Sequence, residues 1–129
     1  MANVQFVEEP DASPEVSLVY QDIKKTFGLP FVPNLFRAMA HSPGYLAATW
    51  NRVKAVMGQG KLDRRTKEMI AVAVSAVNNC EYCVNAHTAA LKRLGVTDAE
   101  LVELMAVVDL FSGLNKFLDG LRVESDLKP

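Results

Sequence analysis

The chain has 129 residues, half of them hydrophobic and 22% charged, with 14 Lys and Arg against 15 Asp and Glu. That length suits one domain with its own core, and that balance belongs to a folding chain, not a disordered one. Near-neutral charge leaves counterion release without a source, which argues against nucleic acid, and the longest apolar run, residues 69–77, is too short to span a bilayer.

The opening stretch MANVQFVEEPDASPE has no basic end followed by an apolar segment, so the expectation is a cytoplasmic protein. Ser13 as N-cap and Pro14 at the first helical position announce the first helix. It carries Val16, Val19, Tyr20, Ile23 and Phe27 at helical spacing and stops at Gly28 and Pro30. The stretch LPFVPNLFRAMA, built around two prolines, predicts an irregular approach to a short helix from about Pro33 to Ala40. His41 follows as a loop or cap residue rather than a catalyst. Ser42 and Pro43 repeat the earlier start signal, with a stripe of Leu46, Trp50, Val53 and Met57 before Gly58. Tyr20, Phe27, Phe31, Phe36 and Trp50 are expected in the core.

Asp63 caps the next helix, whose second half is apolar on every side; in so small a domain this points to a subunit interface. The basic residues Lys61, Arg64, Arg65 and Lys67 near its start sit where a helix dipole prefers acids; they read first as a solvated face, with contact to acidic residues of another subunit or support of thiolate character nearby as the alternatives. A helix beginning near Cys80 should end with Gly95 in the left-handed position and Val96 packed back on the last turn. Thr97 and Glu100 are spaced as a capping box for a final helix, with Gly113 its candidate kink and a frayed tail from Arg122. The reading is all-α: a helical bundle forming a single domain over residues 1–129, with the cysteine pair at the N-terminus of a central helix.

Cys80 and Cys83 are the only cysteines. On a helix they share one face with His87 over about two turns. Their Cα atoms would lie roughly 5 to 6 Å apart, within disulfide range, but so short a loop constrains almost nothing. A reactive thiol pair therefore explains the spacing better than a structural bridge, and the first-turn amides favour a thiolate there. In a hairpin turning at Asn78 and Asn79, Glu68 and His87 arrive at similar height, which makes Glu68 the orienting carboxylate for His87. A base held by a third group beside a nucleophile is the general recipe for an activated thiol. The same four side chains could serve zinc, yet a closed zinc site usually takes more thiolate or imidazole from a second segment, so neither metal nor cofactor is expected.

Glu68, eleven intervening residues, Cys80, two residues, Cys83, three residues and His87 resemble the active-site signature of the alkylhydroperoxidase AhpD-like family, within the carboxymuconolactone decarboxylase superfamily. The likeness covers LDRRTKEMIAVAVSAVNNCEYCVNAHTAALKRLGVT and, more loosely, LPFVPNLFRAMAHSPGYLAATW. The resemblance implies an all-α fold, assembly into dimers, trimers or hexamers, and thiol-dependent reduction of small organic hydroperoxides. In that scheme Cys83 attacks the peroxide, Cys80 resolves its sulfenic acid, Glu68 and His87 relay the proton, and an external dithiol of the lipoyl or thioredoxin type restores the pair. The helix dipole alone would favour Cys80 as the more acidic thiol; the resemblance decides for Cys83. Tyr82 stands where the best-known member of that family has a second histidine, and a phenol accepts protons poorly near pH 7. Two alternatives stand beside this one: a redox sensor or interaction module using the same pair without turnover, and a lactone decarboxylase using His87 and Glu68 as acid and base.

Overall fold

The structure, a computed structural model, describes residues 1–129, and every regular element is helical. After a 3-10 turn at Glu9–Asp11 come α1 (Pro14–Phe27), α2 (Asn34–Met39), α3 (Pro43–Met57), α4 (Arg64–Val77), α5 (Glu81–Arg93) and α6 (Asp98–Leu121). These helices fall into two compact units, Met1–Gly58 and Gln59–Pro129.

In the first unit the start and stop signals work as expected. Ser13 Oγ accepts the Val16 amide at 3.3 Å, and Gly28 ends α1 in the left-handed region, at a φ of 65°. The inward stripe of α1, Val16, Tyr20 and Ile23, is buried with Val32, Phe36, Ala40, Leu46 and Trp50. Trp50 meets Phe27 and Phe36 edge-on, at centroid distances of 5.3 and 5.6 Å. Its indole N–H donates to Asp22 at 2.8 Å, and the Tyr20 hydroxyl donates to the Val7 carbonyl at 2.9 Å, so each large ring is buried without orphaning its polar end. Phe31 departs from expectation: it is 56% exposed, because in the irregular approach to α2 it is the neighbouring Val32 that turns inward. Ser42 holds the cap position of α3 but makes no capping bond through its side chain. Gly58 is required for space, since a Cβ there would come within 2.5 Å of the Lys54 carbonyl oxygen. His41 has a structural part, its Nε2 donating to the Gln5 carbonyl at 2.7 Å and tying down the N-terminal segment.

The second unit is built on the pairing of α4 with α5. Asp63 caps α4 by accepting the Thr66 amide at 2.7 Å. At the far end of α5, Gly95 takes a φ of 83°, its amide donates to the Lys92 carbonyl, and the Val96 amide reaches back to Leu91. This is a Schellman turn, and Val96 packs with Leu91 and Val72 as the buried centre of the unit. Thr97 and Glu100 form the reciprocal capping box that opens α6. That helix runs unbroken through Gly113, the candidate kink, and none of its residues is buried; Leu101, Leu104 and Met105 only lean on the small core. Beyond Arg122 there is no regular structure, in keeping with a frayed tail. No helix is long and apolar enough to cross a membrane.

Candidate active site

The inward stripe of α4 consists of Glu68, Val72 and Ser75, spaced i, i+4 and i+7 so that all three face α5. Past the end of α4, Asn79 adopts a φ of 56°, a left-handed conformation that Asn tolerates better than most residues, and the chain reverses. The Cys80 amide then donates to the Ser75 carbonyl at 2.9 Å. Because that reversal delays helical geometry until Glu81, Cys80 is the N-cap of α5 and not part of its first turn, as the spacing had suggested. Its Sγ accepts the Cys83 amide at 3.3 Å, the service a Ser or Thr hydroxyl gives at other helix starts. Cys83 is thus the cysteine inside the first turn. Both thiols are free and half-buried.

Glu68 and His87 meet as the hairpin register requires, Nδ1 to Oε2 at 2.6 Å. Glu68 is only 2% exposed, and its other oxygen accepts from Arg64 Nε at 2.7 Å. Burial alone would push this carboxyl up; the hydrogen bonds from His87 and Arg64, with their positive charge, more than offset that and hold it below the usual carboxylate range. Glu68 therefore stays an anion while it fixes the imidazole through Nδ1, and Nε2 is the ring nitrogen it leaves unengaged.

The Cys83 thiol is pushed above the ordinary thiol range. The main cause is its hydrogen bond to Cys80, followed by burial and the negative charge that Cys80 can carry; a hydrogen bond with the Ser75 hydroxyl opposes them. Two sulfurs this close do not both ionise readily, so a base is needed to free the second.

Two members of this constellation escaped the sequence reading. Arg64 was placed on a solvated face, although its i, i+4 spacing to Glu68 is the signal of an ion pair. Ser75 is the lone hydroxyl in the apolar run of residues 69–77, seven positions after Glu68, and only the pairing of α4 with α5 discloses its place. Tyr82, between the cysteines, is 44% exposed. No three His, Cys, Asp or Glu side chains converge as metal ligands would. Elsewhere in this unit an apolar groove of about 610 Å³ runs between α4 and α6, lined by Val74, Val77, Val107, Val108 and Phe111, with Lys116 at its edge.

The model of the carboxymuconolactone decarboxylase family matches residues 43–124. Among solved structures, the crystal structure of an alkylhydroperoxidase AhpD core from Rhodospirillum rubrum superposes with a TM-score of 0.92 at 40% identity, covering 98% of this chain and 95% of that one. An alkyl hydroperoxide reductase of Mycobacterium tuberculosis is 33% identical over 74% of this chain, and an (R)-2-haloacid dehalogenase of Pseudomonas putida is 30% identical over 90% of it. The chain spans 27% and 38% of the lengths of those two relatives.

Proposed function

The chain belongs to the carboxymuconolactone decarboxylase family, with an AhpD-like fold, and on that premise we propose that it is a thiol-dependent peroxidase reducing small organic hydroperoxides through Cys80 and Cys83. The observation that carries this reading is the buried Glu68 holding His87 at 2.6 Å, one helical turn beyond Cys83 on the same helix.

The cycle follows from the chemistry of those groups. His87 takes the proton of the Cys83 thiol, the step that the raised thiol makes necessary. The thiolate attacks the terminal oxygen of the hydroperoxide, the O–O bond breaks, and His87 returns the proton to the departing alkoxide. An alcohol leaves and Cys83 becomes a sulfenic acid. Cys80 then attacks the Cys83 sulfur, water departs, and the two sulfurs are joined as a disulfide. An external dithiol, of the lipoyl or thioredoxin type, reduces that bond by exchange and is itself oxidised. Free thiols between turnovers suit a reducing compartment such as the cytoplasm.

Assembly into a homo-oligomer is part of the proposal. Its support is the apolar surface left open in the second unit: Ile70, Val74 and Val77 on α4, and Val107, Leu110, Phe111, Leu114, Phe117 and Leu121 on α6, are all exposed.

The test is steady-state consumption of an alkyl hydroperoxide with dihydrolipoamide or reduced thioredoxin as the dithiol. Wild type should turn over many times and Cys83→Ser should not. Equal consumption by the two proteins would refute the assignment, and a single oxidation of the pair without turnover would favour the sensor alternative.

A further inference from the structure

We propose that Ser75 is a positioning residue for the thiol pair: one residue of α4 fixes Cys80 through its main chain and Cys83 through its hydroxyl. The inference deepens the thiol reading above and rests on it.

The geometry has three parts. The Ser75 carbonyl accepts the Cys80 amide at 2.9 Å across the reversal at Asn79, which locates the cap residue of α5. Its side chain lies on the buried stripe of α4, 9% exposed, seven residues after Glu68. The two polar members of that stripe thus serve successive turns of the facing helix: Glu68 meets His87, and Ser75, seven residues on, comes level with the thiol pair at the start of α5. The rest of that stripe is Val72, so the hydroxyl replaces what would be another methyl in the seam.

A hydroxyl here has a chemical consequence that a methyl would lack. Hydrogen bonding to a thiolate favours the charged form, and Ser75 is the group that lowers the Cys83 thiol against the raising effects of Cys80 and of burial. The titratable and charged groups around Cys83 are Cys80, Glu81 and His87 on its own helix, and Glu68 with Arg64 from α4. None of these is altered by replacing Ser75. A hydroxyl that donates to the sulfur also restricts the rotation of the Cys83 side chain, which keeps the sulfur facing Cys80 for closure of the disulfide.

The experiment uses the full chain carrying Cys80→Ser, which leaves Cys83 as the single thiol and supplies a serine, a favoured N-cap residue, in place of Cys80. Alkylation of Cys83 by iodoacetamide is followed by mass spectrometry across pH, in that parent and with Ser75→Ala or Ser75→Thr added. Ser75→Ala should move the inflection to higher pH and slow the reaction at pH 7 by about tenfold, the loss of one charge-assisted hydrogen bond. Ser75→Thr, which keeps a hydroxyl, should follow the parent. An inflection unmoved by Ser75→Ala, or moved equally by both substitutions, would overturn the proposal. Since no peroxide enters this measurement, it can succeed even where the peroxidase reading fails, and the two outcomes remain distinguishable.

Discussion

In residues 1–58 the large side chains Tyr20, Ile23, Phe36, Leu46 and Trp50 are all buried against one another. In residues 59–129 the buried apolar residues are only Val72, Ala90, Leu91 and Val96, and two polar residues, Glu68 and Ser75, are buried with them. The second unit also leaves the outer faces of α4 and α6 apolar and open. The first unit spends its interior on packing, and the second gives part of its interior to polar groups. One unit is closed by aromatic rings whose polar ends are hydrogen-bonded; the other gives interior positions to a carboxylate and a hydroxyl that face the thiol helix, and leaves apolar surface open.

The comparison breaks most visibly at Trp50. Trp50→Ala removes the ring that Phe27 and Phe36 pack against and should cost about 3–5 kcal/mol, read by urea denaturation with circular dichroism, since this is the only tryptophan. Glu68→Gln in the second unit should cost about 1–3 kcal/mol, less than a fully buried ion pair, because Arg64 and His87 are partly exposed and water can reclaim them. It carries a pH signature as well. The native Glu68 carboxyl lies below its unfolded range, so between the two the unfolded chain binds the proton and the native one does not. The stability it contributes is present above the ordinary carboxylate range and is lost as pH falls through the native value, and in Glu68→Gln that part of the acid dependence should vanish. Thr97→Ala, which removes the hydroxyl of the capping box, should cost about 1 kcal/mol by the same denaturation assay. Smallest of all on stability, within about 0.5 kcal/mol, should be Phe111→Glu with Phe117→Glu on the open face of α6, while sedimentation should show the assembly falling to monomers.

The fold was legible to the extent that its signals are local. Ser13, Asp63, the pair Thr97 and Glu100, and Gly95 followed by Val96 each act within a few residues of themselves, and each ends or starts a helix where its spacing says it should. Phe31 was misplaced because no rule of period decides which of two neighbours faces inward where the chain is irregular. The same limit governs the site. Glu68 and His87 could be paired by counting residues on either side of a turn, since the two helices share one rise per residue. Cys80 was put inside the helix because nothing in a cysteine announces a cap; its role there depends on the left-handed Asn79 and on the bond from its own amide to Ser75. Ser75, small and set among valines and alanines, acquires meaning only once α5 lies against it.

The most direct measurement of the central claim is a stoichiometric one. Reduced protein is mixed with one equivalent of an alkyl hydroperoxide without any external reductant, and thiols, alcohol product and cysteine modification are counted by mass spectrometry. Two thiols should be lost and one alcohol formed per peroxide, with a disulfide joining Cys80 and Cys83, and a trappable sulfenic acid should form on Cys83 when Cys80→Ser is used instead. Peroxide that disappears while both thiols stay reduced, or a sulfenic acid found on Cys80 in Cys83→Ser at the wild-type rate, would contradict that claim.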